Sequence, residues 1–226
     1  YTEVGLTHID ACTISVDETL RGTVLQESNE EEEMLPEALL EDFDFRFYGE
    51  LVRHVWVNDN GVVTFGREAP RGVGDVVPGA LDGVVPRPGI MAFWNELQTR
   101  SNGVCYALMG TAPNRSLLIS WSNVCARGCA EVDDLNFTVT LDEGVDTISV
   151  TYGDMESSNG DEARGAFATV GLIGTPANDQ VRCAPQDCDA QGLCGDGEPC
   201  GYTQVFSNTV QTTGLANLEF TPIMEW

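Results

Sequence analysis

The sequence predicts an all-β protein: an antiparallel β-sandwich with long loops and a disulfide-rich insertion. Three observations lead there. Turn signals recur about every ten residues and helical periodicity is scarce. Apolar and polar residues alternate with period two in several segments, as expected where one strand face is buried and the other wet. Eight cysteines are present, and four of them crowd into Cys183–Cys200.

The elements follow from local patterns. Val55–Val57 and Val62–Phe65 flank Asn58-Asp59-Asn60-Gly61, and Asn-Gly tolerates the positive φ that a tight hairpin turn requires. Phe137, Val139 and Leu141 alternate with Asn136, Thr138 and Thr140. After the turn Asp142-Glu143-Gly144, Ile148, Val150 and Tyr152 alternate with Thr and Ser. A third hairpin spans Gly103–Val124 around the apparent turn Ala112–Ser116. Centring it near Arg115 sets Met109 opposite Trp121 and Cys105 opposite Cys125, close enough for a cross-strand disulfide. The sequence thus predicts a Cys105–Cys125 bridge, with Cys129 as the competitor if a bulge shifts the register. Helix is limited to a turn or two near Pro36–Glu41. Gly66–Gly89 holds six Gly and four Pro and reads as a long surface excursion. Thr203–Phe220 returns to β character, so residues 1–226 read as one sandwich domain carrying a Cys-rich insertion at 183–200.

Charge and cysteine usage bound the function. With 36 Asp and Glu against 11 Arg and no Lys, the formal charge is −25. Nucleic acids and anionic membranes require clustered cations, so neither is a partner. The absence of Lys excludes P-loop phosphate binding, Schiff-base chemistry and Ser–Lys catalysis. No apolar run nears the roughly 18 residues that span a bilayer, and no leader stands at Tyr1, so any signal peptide is expected to have been removed. Eight cysteines fit an oxidising compartment. Cys12, Cys105, Cys125, Cys129, Cys183, Cys188, Cys194 and Cys200 are therefore read as disulfide-bonded; the last four lack the two-residue spacing of zinc knuckles.

Catalysis finds little footing. His8 and His54 are the two histidines, and neither a Gly-x-Ser-x-Gly elbow nor His-Glu-x-x-His occurs. His54 reads as a polar residue at a strand edge. Among 36 acids no spacing singles out a glycosidase pair. One metal pattern stands out: Asp187, Asp189 and Gln191, followed by Gly192 and by Glu198 at the twelfth position, match a calcium loop except at Gln191. No helices flank it, and the bland reading is an acidic, disulfide-stapled loop. Trp94 and Trp121 read as core. Trp56 points opposite Val55 and Val57, where exposure would make it a ligand contact; Trp226 is a further aromatic at the end of the sequence.

The order of motifs resembles nidogen-like (NIDO) extracellular β domains and their bacterial surface-protein relatives. The series runs DFDFRFYG (Asp42–Gly49), VWVNDNGVVTFG (Val55–Gly66), GIMAFWNEL (Gly89–Leu97), the hairpin Gly103–Val124, LNFTVTLDEGVDTISVTYGD (Leu135–Asp154) and AFATVGLIG (Ala166–Gly174). It covers about Asp42–Gly174. The resemblance implies a non-catalytic, secreted adhesion, matrix or cell-surface domain with no catalytic set to transfer. Cysteines at 105 and 125 and the 183–200 insertion depart from the pattern. Arg without Lys suits a bacterial source. The sequence therefore points to an adhesion or structural module of a bacterial surface protein, whose partner is a protein or glycan, or copies of itself. The alternatives are a calcium-dependent carbohydrate-binding module and a filament subunit assembled by strand addition, with Thr2–Ser15 as the donated segment. No cofactor beyond calcium is implied.

Overall fold

The computed structural model describes residues 2–3, 8–14, 32–68, 88–99, 103–126, 129, 134–156, 168–174, 204–207 and 218–220. Within these, two antiparallel sheets face each other. The first contains β1 (Thr2–Glu3), β15 (Leu218–Phe220), β12 (Ile148–Glu156), β11 (Asp134–Asp142), β10 (Asn114–Ala126) and β8 (Leu97–Gln98) in that order, with β9 (Val104–Thr111) also on β10. The second runs β14 (Gln204–Ser207), β13 (Thr169–Ile173), β7 (Gly89–Trp94), β6 (Val62–Phe65), β5 (Val55–Asn58) and β2 (Glu32–Met34). A ribbon of β3 (Arg46–Phe47) and β4 (Glu50–Leu51), a one-turn helix α1 (Glu37–Leu40) and a 3-10 turn at Ala11–Thr13 complete the described elements. The expected all-β class, the Asn58–Gly61 hairpin and the short helix near Pro36 are all present.

Period-two alternation builds the core. Leu117, Ile119 and Trp121 of β10 pair with Leu141, Val139 and Phe137 of β11, and all six are fully buried. Across the interior they meet Val57 and Val63 of the second sheet and Ile90, Ala92 and Phe93 of β7. Trp121 stacks on Phe137 at 4.9 Å, and Phe93 lies 5.5 Å from the same ring. Side-chain hydrogen bonds tie sheet to sheet: the Trp121 indole donates to Asn58 O (3.0 Å), and the Tyr152 hydroxyl donates to Ala92 O (2.7 Å).

The Asn58–Gly61 turn is buried rather than displayed. Asn58, Asp59 and Asn60 are each 5% exposed or less. Buried backbone groups need partners, and this turn supplies them: Leu97 N donates to Asn60 Oδ1 (2.8 Å), Ala92 N to Gly61 O and Asn95 N to Asn60 O. Gly61 has φ +82, and a Cβ there would stand 2.4 Å from Phe93 O. Only glycine fits, on both counts.

The third hairpin corrects the sequence reading. It closes tightly at Ala112-Pro113, so Thr111 faces Asn114, Met109 faces Ser116 and Trp121 faces Val104. Cys105 consequently faces Ser120, not Cys125. A bulge between Trp121 and Val124, with Asn123 at φ +55, carries Cys125 beyond β9 to a place opposite Gln98. The Cys105–Cys125 bridge is therefore not formed: Cys12 bonds Cys105 and Cys125 bonds Cys129.

The Cys12–Cys105 bond explains a second departure. The Ser and Thr face of the first sheet, expected to be wet, is dry along the row Ser120–Thr138–Thr151, all 5% exposed or less. Residues 8–14 cross it as a strap. Ala11 N donates to Ser120 Oγ (2.8 Å), Thr138 Oγ1 donates to Ile9 O (2.9 Å), and Ser122 Oγ donates to an Asp10 carboxylate oxygen (2.7 Å). Thr138 has spent its proton on Ile9, so His8 Nε2 at 3.1 Å is the donor to it. Gly153 makes room: a Cβ there would lie 2.5 Å from His8 Nδ1.

Burial lowers the His8 pKa below 6.5, opposed by Asp10 and Asp154. The unfolded chain thus holds the His8 proton more tightly than the folded one. The contribution of neutral His8 is complete above 6.5 and is lost as pH falls through the folded-state value. Gly153→Ala is expected to dislodge the imidazole and return its pKa toward 6.5, which an NMR titration of the ring reads directly. The double variant Cys12→Ser/Cys105→Ser opens a 93-residue separation and is expected to lose about 4 kcal/mol in urea unfolding.

Candidate functional site

The sequence Asp42–Gly49 closes one end of the sandwich. Phe43, Phe45 and Phe47 alternate inward and are buried, while Asp42, Asp44 and Arg46 are exposed. Phe47 packs on Phe65 at 4.6 Å. The β3–β4 ribbon turns through Tyr48 and Gly49, both at positive φ. Between this ribbon and the end of β6 opens a cleft of about 140 Å³, lined by Phe47, Tyr48, Glu50, His54, Phe65 and Gly66 among others. Pro88 also lines it and accepts a hydrogen bond from Phe65 N (2.9 Å). His54 Nδ1 lies 3.5 Å from Glu37.

An ion pair holds this end to the first sheet. Glu143, in the turn after β11, is buried to 1% of its side chain and takes the Arg115 guanidinium at Nε (2.8 Å) and Nη2. It also accepts Arg115 N and Asp44 N. Arg115 donates onward to Asp42 O and lies 5.6 Å over the Phe43 ring. The Arg115 hydrogen bond is the main cause of the fall in the Glu143 pKa to about 2, aided by the two backbone donors against the cost of burial.

The other sequence-derived positions divide. Trp94 and Trp121 are core. Trp56 is half-buried, and its indole N–H already donates to Gly66 O (3.0 Å). Asn136, a polar position of the alternating strand, donates to Asp154 O and accepts from Asn123 N. Asp187, Asp189, Gln191 and Glu198, with Cys183, Cys188, Cys194, Cys200 and Trp226, lie outside the described residues. Among the described residues no group of three or more His, Cys, Asp or Glu is arranged to hold a metal. No described helix is long and apolar enough to cross a membrane. The cleft was missed by sequence reasoning. Its signal was Tyr48-Gly49, an aromatic residue where a two-residue turn favours Asn or Gly.

A family model described as NIDO related matches residues 15–190. The chain belongs to the NIDO-related family. The match extends on both sides of the Asp42–Gly174 motif series and takes in Cys183 and Cys188. NIDO-related domains are extracellular and of a structural, non-enzymatic type. No curated protein and no solved structure matches this chain.

The Arg115–Glu143 pair makes a testable electrostatic statement. Glu143 is a stronger acid folded than unfolded, so its contribution is present above 4.5 and lost as pH falls toward about 2. Arg115→Ala, which strands a buried carboxylate, is expected to cost about 3–5 kcal/mol at pH 7. Urea unfolding at pH 7 and pH 3 is expected to find the penalty smaller at the acid value, where the stranded group is neutral.

Proposed function

We propose that this NIDO-related chain is an adhesion or structural module displayed on a bacterial cell surface, a single domain over residues 1–226. In this reading it holds a protein or glycan partner and performs no chemistry. The observation that carries the reading is a closed frame with an open recess at one end of its described residues. The described sheet faces are largely covered, and the cleft beside Tyr48 opens between the β3–β4 ribbon and the end of β6. Rigid frames that position loops are the usual architecture of binding modules. The pairing of Thr2–Glu3 with Leu218–Phe220 supports one domain, since the two ends of the sequence share a sheet.

Two alternatives remain attached to particular residues. Calcium-dependent glycan binding rests on the pattern Asp187, Asp189, Gln191 and Glu198. Strand addition by Thr2–Ser15 is disfavoured, because Thr2–Glu3 and residues 8–14 already lie on sheets of their own chain. Along the lateral strand β9, Val104–Ala107 are buried as well.

Labelled protein, native or heat-unfolded, would be applied to intact bacterial cells and to a glycan array, with and without chelator. The expected result is saturable retention of the native form on cells, independent of chelator. Retention that vanishes with chelator and moves to glycans would favour the calcium reading. No retention on either, with the protein found only in the cytosol, would sink the proposal.

A further inference from the structure

The cleft beside Tyr48 has the chemistry of a cation receptor. We propose that it takes the basic side chain, arginine or lysine, of a partner protein. This rests on the adhesion reading and adds to it the chemical class of what is recognised.

The walls are aromatic. Tyr48 is half-buried and meets Phe47 edge-on, with centroids 4.8 Å apart and planes at 89°, and Phe47 in turn tilts against Phe65. Ring faces carry negative potential and attract guanidinium or ammonium groups placed over them. Glu50 stands directly across the ribbon from Phe47, is exposed, and among the described residues forms no ion pair. An aromatic wall with a carboxylate at its mouth suits a cation on a thin aliphatic stem, and a recess of about 140 Å³ admits one.

The guanidinium of Arg53, also in the lining, is engaged elsewhere: its Nη1 donates to the carbonyl oxygens of Leu40 (2.9 Å), Glu41 (3.1 Å) and Phe43 (3.4 Å). Charge complementarity extends past the cleft: a chain of net charge −25 draws basic partners and repels acidic ones.

The turn supports the same conclusion from the backbone side. Tyr48 adopts φ +48, a left-handed conformation that bulky residues rarely take and that Asn or Gly would hold with less strain. Strain of this kind persists where the surroundings over-determine it, and it clusters at ligand clamps. Here it sets the phenol ring at the cleft mouth.

The test titrates isotope-labelled full chain with acetyl-Gly-Arg-Gly-amide, and in parallel with the norleucine and glutamate analogues. Saturable shifts are expected at Tyr48 and Glu50 for the arginine peptide alone, weakening with salt. Glu50→Gln is expected to weaken binding about 5–20-fold, the range for losing one charge-assisted contact. Tyr48→Phe should retain binding and Tyr48→Ala should lose it, with an otherwise unchanged spectrum showing the fold intact. Glu33→Gln, an exposed acid on β2, should have no effect.

Equal binding of the norleucine peptide would make the cleft merely apolar and overturn the proposal. So would equal sensitivity to Glu33→Gln and Glu50→Gln, or the absence of any shift. Cell retention of wild type and Glu50→Gln separates the two readings. Retention with no peptide response removes the cation chemistry and leaves adhesion standing, whereas no retention of wild type removes adhesion itself.

Discussion

A buried polar turn is the constraint on which this sandwich depends. Asn58–Gly61 joins two strands of one sheet, yet it lies inside, where the Trp121 indole of the other sheet reaches Asn58 O. A turn placed there brings several backbone donors and acceptors out of water, and each left unpaired would cost on the order of 1–3 kcal/mol. The surrounding chain satisfies them, with Leu97, Ala92 and Asn95 all donating into the turn. The register of β10 therefore follows from the turn as much as from its own hairpin. Trp121 must face inward, and that fixes which side of the strand Cys105 and Ser120 can meet.

The opposite face of the first sheet is shaped by the same logic. Its small polar residues look like a solvated surface, but they are the right size and chemistry to dock a backbone. Ser120 and Thr138 hydrogen-bond the strap, Gly153 leaves space for His8, and Cys105 bonds Cys12 at the end of the crossing. At the sandwich end, Glu143 and Arg115 hold Asp42–Asp44 in position and the ribbon borders a recess.

Sequence patterns disclosed what depends on neighbours along the chain. The Asn-Gly hairpin, the alternation at Phe137–Leu141 and Ile148–Tyr152, the inward Trp94 and Trp121, and the motif order that resembles NIDO domains were all legible. The third hairpin was not, because Ala112–Ser116 offers several turn residues and a five-residue turn looked natural. Arg115 and Ser116 are instead committed to the strand through Glu143 and Asp142, which leaves Ala112-Pro113 as the turn. The strap was invisible for a different reason: alternation reports that a face is polar, not whether another segment of the chain covers it. The Tyr48 cleft arises from the meeting of segments about 40 residues apart, Phe47–His54 with Pro88, and no local pattern encodes that meeting.

The sandwich is closed by its own strap, residues 8–14, which the oxidised Cys12–Cys105 bond holds to β9. Peptide mapping of the unreduced protein by mass spectrometry tests it most directly. The expected result is a linked pair of peptides containing Cys12 and Cys105, with Cys125 and Cys129 bridged to each other. A peptide pair joining Cys105 to Cys125, or Cys12 recovered as a free thiol, would contradict it.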